Sequence, residues 1–376
     1  MPLADTLWIV EQAKSLGFDL CGVVRAEKFP ELERTPEWLA SGYAGEMKYL
    51  ADPRRCELQS AMPGIRSAIV GLLNYNTEQP LSTDPALPID DGRPSGWISR
   101  YAWGDDYHEV LRERLDALIA SLRQRFTDPF EARAYVDTGP VQERVLAKYA
   151  GLGWLGKNTL LLNQMLGSFF FLGVILTTLD LEPTLGVNEL PPPDLCGNCR
   201  RCLDACPTQA FVEPYVMDAR KCISYLTIEL RGSIPEEFRE PMGNHVFGCD
   251  ICQDVCPWNR RAPIVTIPQF QPRVFPSPEE NRGASLPPQD ESLYLPRLEW
   301  LLGLREAEFR ELFRGSPVKR TKWRGLMRNA CIALGNSGLR PGMADQGRIR
   351  VLLDRLAASE DRVLAESAQW ALSRIQ

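Results

Sequence analysis

Apolar residues recur at helical spacing near the start of the chain. Trp8, Ile9, Ala13 and Leu16 share one face, Asp5 offers an N-cap and Gly17 a stop, so the pattern predicts a helix over 5–16. A strand is expected over Leu20 to Val24, a helix over Pro36 to Leu50, and a second strand over Ser67 to Leu73. The strongest amphipathic pattern runs from Asp106 to Phe126, with Leu111, Leu115, Leu118, Ile119 and Leu122 on one side. A strand over Ala132 to Val136 and a helix over Val141 to Ala150 follow. Asn158 to Asn163 and Phe169 to Thr178 read as two further strands, forming a hairpin.

Strands and helices alternating over so long a stretch predict an α/β N-terminal domain within an α+β chain. Pro183 to Pro193 marks its end, placing the first domain at 1–190. A cysteine-rich module occupies 191–261. Residues 262–297 contain eight prolines and little periodicity, and read as a linker or an extended wrap. The remainder, 298–376, is helical. Within it, residues 323–335 and 363–372 share an Ala-x-x-Ala-Leu pattern, whose small residues allow the close stacking of HEAT-like repeats.

Eleven cysteines change the picture. Cys196-x2-Cys199-x2-Cys202-x3-Cys206-Pro207 and Cys249-x2-Cys252-x3-Cys256-Pro257, with Cys222 between them, have the bacterial ferredoxin spacing for two 4Fe–4S clusters. One loop supplies three thiolates, and the Cys before Pro crosses to the other cluster. That rule assigns Cys196, Cys199, Cys202 and Cys256 to one cluster, and Cys206, Cys222, Cys249 and Cys252 to the other. Zinc sites favour paired spacings with four ligands each, a poorer match.

At 376 residues and 44 % hydrophobic composition, the chain is that of an ordinary globular protein of two or three domains. The N-terminus shows neither a long apolar run nor a twin-Arg pair. The longest apolar stretch, Phe169 to Leu176, is too short to span a bilayer. A cytoplasmic protein without membrane contact is expected, its cysteines serving as metal ligands rather than in disulfides. Net charge is −6, yet Arg314 to Arg328 carries six basic residues (Arg314, Lys319, Arg320, Lys322, Arg324, Arg328) and no acidic one, with Trp323 among them. Such a patch suits a phosphate backbone and a stacked base, or else is a solvated helix face or a set of Arg stems covering core.

Clusters pass single electrons and need an acceptor. No Gly-x-Gly-x-x-Gly follows a strand, and only two histidines are present, so a Rossmann nucleotide site and a multi-His metal site are both poorly supported. His108, inside the long helix, reads as a surface or packing residue. Asp137, directly after an apolar strand and before Thr138-Gly139-Pro140, sits where open α/β sheets place ligands. Buried there it would stay protonated and be a candidate proton donor; a turn or N-cap aspartate would look the same. The loop Gly151 to Asn158 either lets backbone approach a cofactor or is a tight connection.

Taken together, Trp103–His108, Tyr135–Pro140, Gly153–Asn158, Cys196–Pro207, Arg220–Thr227 and Gly248–Pro257 resemble the epoxyqueuosine reductase family of tRNA-modifying enzymes, over almost the whole chain. The family's relatives include cobalamin-dependent reductive dehalogenases. The resemblance implies a cobalamin in the N-terminal domain without a protein histidine as lower ligand, fed with electrons by the two clusters. It implies reduction of the epoxide of epoxyqueuosine in the tRNA anticodon, with Asp137 protonating the departing oxygen. It implies corrin contacts at Arg55, Ser99, Asp137, Asn158, Leu161, Leu172, Ser224 and Asp250, and tRNA contacts at Lys319, Arg320, Lys322, Trp323, Arg324 and Arg328. The partners would be the epoxyqueuosine-bearing tRNA and an external electron donor, and the chain would act as a monomer. Two other readings are a dehalogenase-like enzyme on a small molecule and a bare ferredoxin-like carrier. A carrier has no evident need for so long a segment ahead of its clusters.

Overall fold

The computed structural model describes residues 3–84, 87, 93–186, 189–275, 290–340, 343 and 346–375. The N-terminal part is built on α1 (Leu3–Ser15), β1 (Leu20–Arg25), β2 (Ser67–Asn74), α2 (Tyr107–Arg125), β3 (Ala132–Tyr135), α3 (Glu143–Tyr149) and β4 (Phe170–Thr177). The four strands form one sheet in the order β1-β2-β4-β3, and every pairing is antiparallel. The alternation of elements predicted an α/β domain; the antiparallel pairing makes it α+β instead.

Both faces of this sheet are covered, so the strands are apolar at nearly every position rather than alternating. The side-chain period of two still sorts them. Ile69, Leu73 and Ile175 pack with Ile9 of α1 and Leu111, Leu115 and Leu122 of α2. Ala68, Val70, Leu72, Val174 and Leu176 face the other way, onto Val145 and Leu146 of α3 and onto Met62. Asp106 caps α2, its side chain accepting from the His108 amide.

Two local expectations fail for identifiable reasons. The helix over Pro36 to Leu50 is only Thr35–Ala40, followed by turns and a 3-10 segment, Lys48–Ala51. Gly42 and Gly45 adopt positive φ (72° and 56°) and break it. The predicted 158–178 hairpin does not form. Leu161–Leu162 pairs with Trp154–Leu155, while β4 enters the main sheet between β2 and β3. A Cβ at Gly153 would lie 2.1 Å from the Leu162 carbonyl oxygen, so this glycine permits that close pairing.

Residues 262–275 wrap the N-terminal part. Phe270 is buried against Phe171, and the Asn74 and Asn76 amides donate to carbonyls at 262–263. The rest of the proline-rich stretch to residue 289 lies outside the described residues. The C-terminal helices α4 (Lys322–Gly335), α5 (Gln346–Ala357) and α6 (Arg362–Arg374) pack closely. A Cβ at Gly335 would fall 2.4 Å from the Trp370 ring. Their core also takes in Trp97, Ile98, Trp103, Val246 and Phe247, so it is built from all three parts of the chain. Among the described residues no helix is long and apolar enough to cross a membrane.

Candidate active site

A cavity of about 2510 Å³ opens between the sheet domain, the cysteine module and the segment before α4. It exceeds the ~300–1,000 Å³ of drug-sized ligand pockets and leaves room for a large cofactor and a substrate together. Asp137 projects into it from the end of β3. Its φ is 52°, a left-handed conformation that Asp tolerates better than most residues, and the Thr138 amide closes a tight turn onto the Val136 carbonyl at 2.5 Å. Its side chain is 55 % exposed and lines the cavity.

Three groups converge on the Asp137 carboxylate. The Tyr107 hydroxyl donates to it at 3.1 Å, His108 Nε2 lies 3.6 Å away, and an Arg320 guanidinium nitrogen 3.9 Å away. Tyr107 stacks between His108 (4.1 Å) and Phe171 (4.3 Å), which fixes both donors. On its far side His108 Nδ1 meets Asp106 at 2.7 Å, and the second oxygen of Asp106 takes Lys319 at 2.7 Å. Arg320 is held by Glu229 at 2.6 Å and lies over the Tyr49 ring.

The electrostatics differ from expectation. Recession into the cavity favours a neutral Asp137. His108, Arg320 and Tyr107 outweigh it and hold the carboxyl below its usual range. Burial likewise opposes a charged His108, but the hydrogen bond to Asp106 and the negative charges of Asp106 and Asp137 raise its pKa to about 9. At neutral pH the proton therefore resides on His108, and Asp137 is a carboxylate. A neighbouring acid behaves oppositely. Burial, reinforced by the charge of Asp137, raises Glu143 to about 8, and its Oε1 has no hydrogen-bond partner.

The structure brings the eight cysteines into two groups. Cys202 lies in the field of Cys256, Cys196 and Cys199, and Cys256 in that of Cys196 and Cys199. Cys249 neighbours Cys252 and Cys222, and Cys222 neighbours Cys206. Burial pushes the Cys249 and Cys252 thiols far up, and the adjacent thiolates add to it. Such crowded thiolates call for bound iron to balance their charge. Among the described residues, no three metal-ligating side chains converge as they would on a single ion. Thiolates around a four-iron cube stand at its separate corners instead. All four cysteines of the Cys206 group line the cavity; none of the Cys196 group does.

Of the residues expected around a corrin, Arg55, Ser99, Asp137, Asn158, Leu172 and Ser224 line the cavity. Leu161 is buried in its short hairpin, outside the lining. Asp250 is fully buried beneath the cavity, its carboxylate taken by Trp97 Nε1, Ser99 Oγ and the Arg100 amide. The basic stretch is not one surface. Lys322 and Arg324 are exposed, Arg324 pairing with Asp361. Trp323 is half-buried, donating to the Leu304 carbonyl. Lys319 and Arg320 line the cavity. Arg328 is 1 % exposed and donates to the carbonyls of Leu226, Leu230 and Gly232, which removes it from any surface.

Sequence reasoning missed His108, Tyr107 and Arg320 as partners of Asp137. The one available signal was the adjacent pair Tyr107-His108 in a segment that also carries the Asp106 cap.

A pure electron carrier has no use for a chamber of this size beside one of its clusters. The arrangement is that of an iron–sulfur oxidoreductase with one cysteine group at the wall of a large cavity. A family model described as a 4Fe–4S double cluster binding domain matches residues 195–259, and one described as epoxyqueuosine reductase QueG, DUF1730, matches residues 55–138. The chain is 45 % identical to the epoxyqueuosine reductase of Gloeobacter violaceus over 88 % of its length and 96 % of that protein. It is 37 % identical to that of Escherichia coli, over 96 % and 86 %. A crystal structure of epoxyqueuosine reductase with a tRNA-Tyr epoxyqueuosine-modified stem loop superposes with a TM-score of 0.83 at 30 % identity, covering 99 % of this chain and 90 % of that one. The chain belongs to the epoxyqueuosine reductase family.

Proposed function

We propose that the protein reduces the epoxide of epoxyqueuosine in a tRNA anticodon to the alkene of queuosine, with cobalamin bound in the cavity. The change takes two electrons and two protons: both epoxide C–O bonds break and the oxygen leaves as water. The observation that carries this reading is that Asp137 and the four cysteines of the inner cluster line one cavity.

Arg55, Asn158, Leu172 and Ser224 would hold the corrin. His108 is the only histidine in the lining and is committed to Asp106 and Asp137, which suits a cobalamin bound without a protein lower ligand. When bound, cobalamin supplies a strongly reducing cobalt centre able to act on an epoxide. The inner cluster would feed it, and the outer cluster would feed the inner one.

The chain's own part is the proton. His108 holds it and Asp137 faces the substrate. As ligands displace water from around Asp137, its charged form loses solvation and its pKa rises, so one proton passes from His108 to Asp137 and on to the departing oxygen, and the second, which completes the water, comes from solvent. Lys319 and Asp106 keep His108 oriented. Lys319, Lys322, Trp323 and Arg324, at the cavity edge and on the adjoining HEAT-like helices, would grip the tRNA backbone and a base.

The test is anaerobic. Protein reconstituted with iron, sulfide and cobalamin is reduced and given epoxyqueuosine-containing tRNA, and nucleosides are followed by mass spectrometry. Cobalamin-dependent loss of one oxygen mass is expected. Intact clusters and bound cobalamin with no conversion would refute the proposal.

A further inference from the structure

The two cysteine groups differ in what they face. Cys206, Cys222, Cys249 and Cys252 line the cavity, whereas no residue of 195–202 or 256–261 does. The outer group instead sits under an exposed loop: Leu195, Gly197, Asn198, Arg200 and Arg201 all reach solvent. Cys256 closes this group and leads into the turn Pro257–Arg261, where Trp258 packs on Trp154 beside Cys196 and Cys256. Arg260 and Arg261 at the end of that turn are exposed.

The charge here runs against that of the chain. In a protein of net charge −6, the segments framing the outer group present Arg200, Arg201, Arg260 and Arg261. Arg200 has Asp204 3.6 Å away. The other three make no ion pair among the described residues. The acid beside the loop, Asp194, is taken by Tyr215 and the Cys196 amide. Lys157 donates to the Gly197 and Cys199 carbonyls, covering the loop with a further cation.

We propose that this face is the electron-entry surface and that it docks an acidic one-electron carrier protein. Because none of the face's arginines lines the cavity, the carrier does not compete with the tRNA for it, so two successive one-electron deliveries occur without releasing the tRNA. Each delivery oxidises the carrier by one electron and reduces the outer cluster by one, and two complete the reduction of one epoxide. Exposed arginines in the segments that frame the outer cluster complement an acidic partner and speed its encounter in a salt-dependent way. The inference rests on the clusters forming a relay into the cavity.

The test uses reconstituted protein and a reduced acidic flavodoxin as probe. Stopped-flow reduction of the clusters and flavodoxin binding by titration are compared between wild type, R201E/R260E/R261E and the milder R201Q/R260Q/R261Q. The expectation is a rate of reduction by flavodoxin about tenfold or more lower in the charge reversal, an intermediate value in the neutral variant, and a wild-type rate that falls with added salt. Reduction by dithionite and the affinity for a tRNA stem loop should not change. An unchanged flavodoxin rate and affinity in the reversed variant would overturn the proposal. So would a selective loss of stem-loop affinity, which would give this face to RNA. Dithionite separates the two readings: failure of dithionite-driven turnover in wild type would count against the proposed reaction, not the docking face.

Discussion

The Asp137 carboxylate and the His108 ring stand 3.6 Å apart, and the proton that chemistry would require of the acid resides on the base. Each residue sets the other's state. The imidazolium keeps Asp137 ionised in the open cavity, and Asp137 with Asp106 keeps the imidazole charged. In the proposed reaction the pair would hold a proton in reserve until water leaves the cavity.

Asp137→Asn preserves size and hydrogen bonding but cannot relay a proton. Turnover should fall by about 100-fold or more, the usual contribution of a general acid. Corrin and tRNA affinities, measured by absorbance titration and fluorescence anisotropy, should stay within a few fold. Full activity would remove Asp137 from the reaction.

Asp106→Asn removes the closest partner of His108. The imidazole pKa should drop from about 9 toward 6.5, and the alkaline fall in single-turnover rate should move down by about one to two pH units. The same shift affects stability. A folded pKa raised above the unfolded value contributes stability that is complete below pH ~6.5 and lost as pH rises through about 9, up to about 3 kcal/mol. Melting temperatures of wild type and Asp106→Asn should therefore differ most near pH 6, and the gap should narrow above pH 9 to what the lost Lys319 pair leaves.

Arg328 has the charge of an RNA contact and the surroundings of a core residue. Arg328→Ala orphans the carbonyls of Leu226, Leu230 and Gly232, at about 3 kcal/mol or more. Urea denaturation should show this loss. Stem-loop affinity of the folded fraction should be unchanged.

Glu143 should be neutral at pH 7. Its raised folded pKa means that folding takes up a proton, so wild type loses stability between pH 4.5 and about 8 through this group. Glu143→Gln carries no such term. It should match wild type in activity at neutral pH and exceed it in thermal stability above pH 8. Equal melting curves at pH 9 would show that the acid ionises freely in the folded protein.

The clusters were legible because their ligands are local: fixed spacings and a following proline place most of the thiolates within two short loops. Asp137 stood out because it ends an apolar strand. Its partners did not. His108 and Arg320 reach it only once α2 is laid along the sheet and the segment before α4 folds back over the cavity, and no pattern in one dimension reports such a meeting. The basic stretch misled for a related reason. Its residues occur together in sequence, yet the chain sends Arg328 under the 226–232 segment, Arg320 into the cavity and Lys322 to solvent. The Pro36–Leu50 helix failed on chemistry already visible in the chain, since Gly42 and Gly45 outweigh the apolar pattern around them.

Lys319 and Arg320 give the C-terminal segment a consequence beyond its proposed contact with RNA. A chain cut after residue 316 would keep all eight cluster cysteines and Asp137. It would lose the cations that hold Asp106, Glu229 and Asp137, and with them one wall of the chamber. The tail is therefore not a removable handle. Grafting it onto another catalytic core, or exchanging it, would change the charge environment of Asp106, Asp137 and Glu229 along with any contact the tail makes to RNA.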